Sequence, residues 1–472
     1  MRTCCVIGAG PNGLAAAVVL AQAGFHVDIY EAEPQPGGAA RTLELTLPGF
    51  LHDFGSAVHP FAAGSPFFTS LPLKENGLEW IHSPAPLAHP LDDGTAVVLE
   101  RNLDDAASAL GRDGEAWRRL MEPFVSHWEE LAPEVLGPVP HIPKHPLLLA
   151  RLGRVALPSA KSLASRQFRD ERTRALFAGL AAHSFLRLDE LLSAAYGVLL
   201  GVTAHAVGWP IPGGGAQSIT NALCGYLSRF NATIKTSTRI SNVDDLRDYD
   251  ALLCDVSPRQ LLQIAAPRFT PGYRVQLQRF RYGPGVFKVD YALNAPIPWK
   301  ARECSRAATV HLGGSLDEIA ASEKAMRSGR PAERPFVLLA QPSLFDPTRA
   351  PESKHTAWAY CHVPHGSNFD MLDRLENQIE RFAPGFRDCV LARRVFGPAA
   401  LEKMDANLIG GDIVGGAMDA RQMLFRPSVR QYATSDRDIY LCSASTPPGG
   451  GVHGMCGYHA ARLALSRFGI KK

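Results

Sequence analysis

A chain of 472 residues is long enough for two or three domains at roughly 150 residues each, and 46% hydrophobic with 20% charged residues excludes disorder. Lys and Arg number 49 against 46 Asp and Glu, and the net charge of +3 comes without a basic run, so nothing points to nucleic acid as a partner. Nine cysteines occur with no Cys-x-x-Cys pair, which argues against a metal centre and for free thiols in a reducing, cytoplasmic setting.

The first 31 residues carry the strongest local pattern. Cys4 to Ile7 is a short apolar run that predicts a buried strand, Gly8-Ala9-Gly10-Pro11-Asn12-Gly13 a tight turn, and Leu14 to Ala23 a helix of good propensity stopped by Gly24. His26 to Tyr30 is a second strand, ending on Glu31, 18 positions after the third glycine. Each part has a physical task at a dinucleotide. Gly8 permits the turn, Gly10 lets the backbone approach a diphosphate, and Gly13 lets helix and strand pack closely. The helix N-terminus attracts the anion, and Glu31 accepts from a ribose hydroxyl pair.

A second glycine pair follows in Gly37-Gly38-Ala39-Ala40-Arg41, where a loop can lie against the phosphates and Arg41 can neutralise them. Next comes Asp53-Phe54-Gly55-Ser56, with His59 three residues on. A simple nicotinamide dehydrogenase does not need this second clamp, so FAD is favoured.

Residues 71–208 predict helices, among them Glu171 to Ala182 and Leu188 to Leu200. The apolar stretch Leu191 to Pro210 is interrupted by Ser193, Thr203 and His205 and does not predict a membrane span. Gly208 to Ser218 turns into a helix reaching Leu227. Strands are expected at Thr233–Thr236, Arg239–Val243 and Ala251–Asp255, then at Val286–Leu293, Phe336–Ala340 and Thr356–His362. The loop containing Asp346 and Arg349 caps the substrate region. His362 and His365 lack carboxylate partners at ligand spacing, so no metal is assigned. At the far end a strand near Ile439–Leu441 runs through Ala444 into the loop Pro448-Gly449-Gly450-Gly451-Val452-His453-Gly454-Met455 and then a helix.

Taking its two ends and its middle together, the chain resembles the FAD-dependent phytoene desaturase-like and flavin amine oxidase superfamily, in particular its phytoene dehydrogenase-like, pyridine nucleotide-disulfide oxidoreductase domain-containing subgroup. The resemblance covers nearly the whole chain. It is carried by Val6 to Leu14, Pro36 to Ala40, Gly208 to Gly214, Tyr282 to Asp290 and Pro448 to Met455. It implies an α/β fold: a Rossmann-like FAD-binding domain of the glutathione reductase/amine oxidase type, interrupted by a mixed α+β substrate domain. The FAD-binding domain would be built from 1–70, 209–275 and 430–472, and the substrate domain from 71–208 and 276–429. It places cofactor contacts at Gly8, Ala9, Gly10, Pro11, Asn12, Gly13, Glu31, Ala32, Gly37, Gly38, Ala39, Ala40, Arg41, Gly55, Ser56, Ala444, Val452, His453 and Met455. Ile240 would contact the adenine from a strand. Lys288 matches a lysine that many amine oxidases hold at flavin N5 through a water; a solvated strand lysine is the competing expectation. Lys288 and His59 are the catalytic candidates. Thr446-Pro447-Pro448 stands where some relatives attach the flavin to a cysteine, so the FAD is expected to be non-covalent.

The expected activity is removal of hydride from a hydrophobic small molecule to flavin N5, with dioxygen or a quinone as final acceptor and peripheral membrane contact left open. An amine or amino acid oxidase is the alternative enzyme; no aromatic pair that would cage an amine is evident near Val452. A carrier resembling GDP-dissociation inhibitors, using the fold without redox chemistry, is the alternative of another class.

Overall fold

The computed structural model describes residues 2–470. Its first layer is a five-stranded sheet in which Ile439–Leu441, Ala251–Cys254, Thr3–Ile7, His26–Tyr30 and Ala232–Lys235 lie side by side in that order, all parallel. The chain steps outward from Thr3–Ile7 to one edge, then returns to fill the other side. The order therefore reverses between Thr3–Ile7 and Ala251–Cys254, where open parallel sheets bind ligands beyond their carboxyl ends.

Alternation in the first strand explains why helices cover both faces. Cys4 and Val6 point into one apolar cluster and Cys5 and Ile7 into another. On the first side lies the helix Pro11–Gln22, with every residue from Asn12 to Ala21 buried, as an all-apolar surface requires. Its alanines let the helices Gln217–Leu227 and Met455–Arg467 pack against it. Proline at its first position and the left-handed Gly24 (φ 86°) after its last turn fix its length.

The second layer is a seven-stranded sheet in the order Val390–Phe396, Gly285–Leu293, His355–Val363, Val337–Ala340, Ala307–Leu312, Ala85–Pro90 and Ala96–Leu99. Its pairings are antiparallel except between Ala307–Leu312 and Ala85–Pro90. One face buries Val289, Tyr291 and Leu339 against the helix Leu372–Phe382. The other faces the cleft. A helical layer between residues 103 and 206 closes the side, around Trp117, Phe168, Phe177 and Val198.

Two expected elements differ. The helix expected over Leu188–Leu200 runs Ser193–Ala206, because Leu192 is left-handed (φ 71°) and the Ser193 hydroxyl donates to the Glu190 carbonyl, holding the preceding residues as a turn. Arg239–Val243 is not a strand. Asn242 accepts from the Asp244 amide and opens a short 3₁₀ turn at Val243–Leu246, so Ile240 lies in an irregular connection and packs against the lower cluster of the parallel sheet.

Candidate functional site

A cleft opens at the carboxyl ends of the parallel strands and continues over the second sheet. Its upper wall is built by backbone approach. The Gly8 amide donates to the Tyr30 carbonyl at 2.8 Å, and a Cβ on Gly13 would lie 2.1 Å from the Gly8 carbonyl oxygen. The second glycine turn is bonded to the first, with the Gly37 amide donating to the Ala9 carbonyl at 2.9 Å. A Cβ on Gly38 would lie 3.3 Å from Gly10 Cα. Two turns that were distinct in sequence thus form one cradle.

The third wall comes from the C-terminal loop. The helix Met455–Arg467 starts directly on the helix Pro11–Gln22, and a Cβ on Gly457 would sit 1.8 Å from the Asn12 carbonyl oxygen. Gly450, Gly451 and Val452 line the cleft beside Ser443, Ala444 and Ser445. His453 turns away from it: its Nδ1 accepts from the Met455 amide at 3.0 Å, and its carbonyl accepts from Ser65.

The lower floor is a face of the seven-stranded sheet. Register puts Thr309, Ala340, Trp358 and Asp290 in one row across four strands, and His311, Leu338, Tyr360, Lys288 and Phe396 in the next. Period-2 alternation sends both rows to the same side. Trp358 and Tyr360 stack with ring centroids 5.7 Å apart, and Phe185, Tyr196, Leu200 and Trp209 close the apolar end.

Charge at the floor is paired. Lys288 is 3% exposed, and its Nζ donates to Asp290 Oδ1 and Oδ2 at 2.6 and 2.5 Å, with Trp358 and Phe396 beside it. Burial pushes the Asp290 carboxyl up to about 6, held from rising further by Lys288. Behind it, Arg349 donates to Asp53 Oδ2 at 2.7 Å, both side chains fully buried. Burial alone would raise the Asp53 carboxyl, but Arg349, the Ala216 amide and Thr42 outweigh it and hold the group below its usual range. Asp346 accepts from the Gly214 amide at 2.9 Å. The Asp346–Arg349 loop therefore ties the strand Leu51–Asp53 to the Gly213–Gly215 turn, a bracing role.

His59 is 3% exposed and lines the cleft. One ring nitrogen meets the Ser56 backbone oxygen, and Nε2 has no protein partner. Burial drives its pKa down to about 4, so the ring is neutral at pH 7.

Of the residues singled out in sequence, Gly10, Pro11, Asn12, Gly38, Ala39, Ala40, Gly55, Ser56, His59, Lys288, Ala444 and Val452 line this one cleft. Others stand behind it. Glu31 accepts from the Ala9 amide at 2.8 Å and the Glu33 amide at 2.9 Å, which fixes the first turn. Arg41 is not free for phosphates: Nε donates to the Gly38 carbonyl and Nη2 to the Met404 carbonyl, each at 2.7 Å. Ile240, His453 and Met455 do not reach the cleft surface, and Met455 belongs to the apolar core. The competing expectation of a solvated Lys288 fails.

Sequence reasoning missed Asp255, which follows its strand at the point of order reversal. Its Oδ2 accepts from the Gly13 amide at 2.9 Å, at the helix N-terminus, and burial pushes its carboxyl up to about 7. It also missed Asp290, although Lys288-x-Asp290 on a strand puts both on one face, and the aromatic pair Trp358-x-Tyr360, which the same spacing would have revealed.

The cradle fits a bound dinucleotide. Side chains at Gly10 and Gly38 would fill it, and the buried Asn12 Oδ1 beside it has no protein partner. Among the described residues no cluster of three metal-ligating side chains forms, and no helix is long and apolar enough to cross a membrane.

Comparison with known proteins agrees with this geometry. Residues 6–68 match the family model of the NAD(P)-binding Rossmann-like domain. Pyridine nucleotide-disulfide oxidoreductase domain-containing protein 2 of Rattus norvegicus is 27% identical, over 98% of this chain and 92% of its own. The lycopene-forming phytoene desaturase of Pseudescherichia vulneris is 24% identical, over 98% and 99%. Wild-type putrescine oxidase, solved with putrescine bound, superposes with a TM-score of 0.61 at 17% identity, covering 99% of each chain. Homologues of this chain thus include that oxidoreductase-domain protein and phytoene desaturases, and its fold is that of the amine oxidases.

Proposed function

We propose that the protein is an FAD-dependent oxidoreductase, a dehydrogenase or desaturase that removes hydrogen from an apolar small molecule. The observation that carries this reading is the continuity of one cleft, from the Gly10 and Gly38 cradle at the strand-order reversal to the aromatic floor at Trp358 and Tyr360. When bound, FAD would supply the hydride acceptor at N5, and the cofactor would pass its electrons to dioxygen or a quinone.

The chain's own residues supply the rest. The backbone of Gly10 to Gly13 and of Gly38 to Ala40 would hold the diphosphate, non-covalently, and Val452 with Ala444 would meet the ring system. Cys456 is occupied elsewhere, its Sγ donating to the Thr446 and Gly449 carbonyls at 3.5 Å, and burial pushes its thiol up to about 11, which suits no covalent attachment. Phe185, Leu200, Trp209 and Tyr360 exclude water and align the substrate's apolar body. His59 Nε2, neutral and unpartnered, can take a substrate proton. Lys288, held by Asp290, is fixed in place at the floor.

A specific observation favours a second reading. Trp358 and Tyr360 form a stacked aromatic pair on the floor, a feature suited to an amine. Purified protein showing a flavin spectrum that bleaches anaerobically with an apolar substrate supports the dehydrogenase. Hydrogen peroxide formed with putrescine or a related amine supports the oxidase instead. A colourless protein that refuses added FAD removes both and favours a carrier.

A further inference from the structure

The five most exposed large apolar side chains among the described residues are Ile142, Leu147, Leu191, Val429 and Leu157, from 93% down to 59% exposed. Hydrogen bonds join them into one stretch of surface. Gln431 donates to the Val139 carbonyl at 2.7 Å, which ties the Val429 loop to the segment leading into Ile142. The Leu192 amide donates to the Leu157 carbonyl at 2.9 Å, which sets Leu191 beside the end of the helix Pro146–Ala156.

That helix supplies the centre. Leu147, Ala150, Arg151, Arg154 and Leu157 follow one another at helical spacing and are all exposed, so they share its outer side. Leu152 and Ala156 face inward and pack in one cluster with Val198 and Leu200 of the helix Ser193–Ala206, whose Tyr196 and Leu200 line the cleft.

Charge on this surface has one sign. No Asp or Glu occurs between Glu134 and Asp170, whereas Lys144, Arg151, Arg154, Lys161, Arg166 and Arg169 all fall there. Among the described residues Lys144, Arg151 and Arg154 are exposed without a carboxylate partner, as is Arg430 beside Val429. Flanking acids are engaged: Glu134 by His141 and the Lys144 and His145 amides, Glu130 by His145, Asp189 and Glu190 by Arg187. An apolar side chain that stands this clear of the protein has no groove walls around it, and the anchors of a protein partner need such pockets. A bilayer needs none, since acyl chains take the apolar side chains and anionic headgroups take the cations between them.

We propose that this surface docks on an anionic lipid bilayer, with Ile142, Leu147 and Leu157 entering the interface and Lys144, Arg151 and Arg154 at headgroup level. The docking stands apart from the functional reading above. Only its use, bringing an apolar substrate close to the Leu200 end of the cleft, rests on that reading.

Co-sedimentation with vesicles tests this on the full chain. Phosphatidylcholine vesicles carrying roughly 30% phosphatidylserine should bind it at least about tenfold more tightly than pure phosphatidylcholine. Raising sodium chloride from about 0.1 M to about 0.5 M should weaken that binding by a similar factor. Ile142→Asp combined with Leu147→Asp should cost at least about tenfold on the anionic vesicles. Arg151→Ser combined with Arg154→Ser should weaken binding and flatten its salt dependence. Leu391→Asp, on the edge strand of the seven-stranded sheet, should change nothing. Circular dichroism checks that each variant folds; should the aspartate pair fail, the serine pair carries the test. No binding to anionic vesicles, or undiminished binding by both paired variants, overturns the proposal. So does a dimer in light scattering that the aspartate pair splits, because a second copy would then cover the surface. Protein that binds the vesicles yet never takes up FAD would sink the flavin reading and leave the docking standing.

Discussion

Gly457 lies so close to Asn12 that a Cβ on the glycine would stand 1.8 Å from the asparagine carbonyl oxygen. These residues are 445 positions apart, and their contact brings the two glycine-rich helix starts into one wall. Neither helix can shift without disturbing the cleft, because the same helix start carries Gly13 against Gly8.

Gly457→Ala is expected to force these helices apart. Overpacking against rigid backbone costs about 1–3 kcal/mol, and this contact should reach the upper end. Urea unfolding of the variant checks it; an unchanged midpoint and slope would show that the helices yield freely.

Gly10→Val should leave the fold and abolish flavin retention. The new side chain would start 2.9 Å from Asp255 Oδ2 and grow into the space facing Gly38. Absorbance near 450 nm after gel filtration measures the loss. A variant that stays yellow would place the diphosphate elsewhere.

Asp255 should make both stability and cofactor affinity fall with rising pH. Its folded value, about 7, lies above the usual 3.8, so the favourable protonated state is complete below 3.8 and lost as pH rises through 7. Asp255→Asn should therefore be the more stable protein at pH 8, by on the order of 2–4 kcal/mol, and equal to the parent near pH 4. A diphosphate beside the carboxylate has the same sign: FAD affinity should weaken above pH 7 in the parent and stay level in Asp255→Asn. Parallel pH profiles for the two proteins would refute this.

Lys288→Met removes the partner of a buried carboxylate, which typically costs about 3–5 kcal/mol. Adding Asp290→Asn should recover much of that loss, since no charge is then stranded. A double-mutant cycle in denaturant measures the coupling, and strict additivity would mean that Asp290 has another partner. Stopped-flow traces should also show slower flavin reduction or reoxidation in Lys288→Met with FAD still bound; unchanged rates would remove Lys288 from the chemistry.

What was legible in sequence is what backbone geometry dictates over a few residues. The strand, turn and helix from Thr3 to Gln22 and the glycine loop ahead of Met455 stand where spacing put them, because only glycine permits such turns and contacts. Arg239–Val243 shows the limit: a short run holding Ile240 and Val243 read as a strand, and a side-chain cap at Asn242 won instead. Arg41 shows another, since a basic residue beside a phosphate turn proved to be a brace for carbonyls at Gly38 and Met404.

By itself, then, the order of amino acids determined the strand, glycine turn, helix and strand from Thr3 to Tyr30, since those depend on contacts between near neighbours and on which positions tolerate no side chain. Only the tertiary structure decided the pairing of Lys288 with a buried Asp290 rather than with water, the placing of Asp255 at a helix start 242 residues earlier, and the row from Thr309 to Asp290. Register between strands far apart in the chain sets which side chains meet, and no local pattern encodes that register.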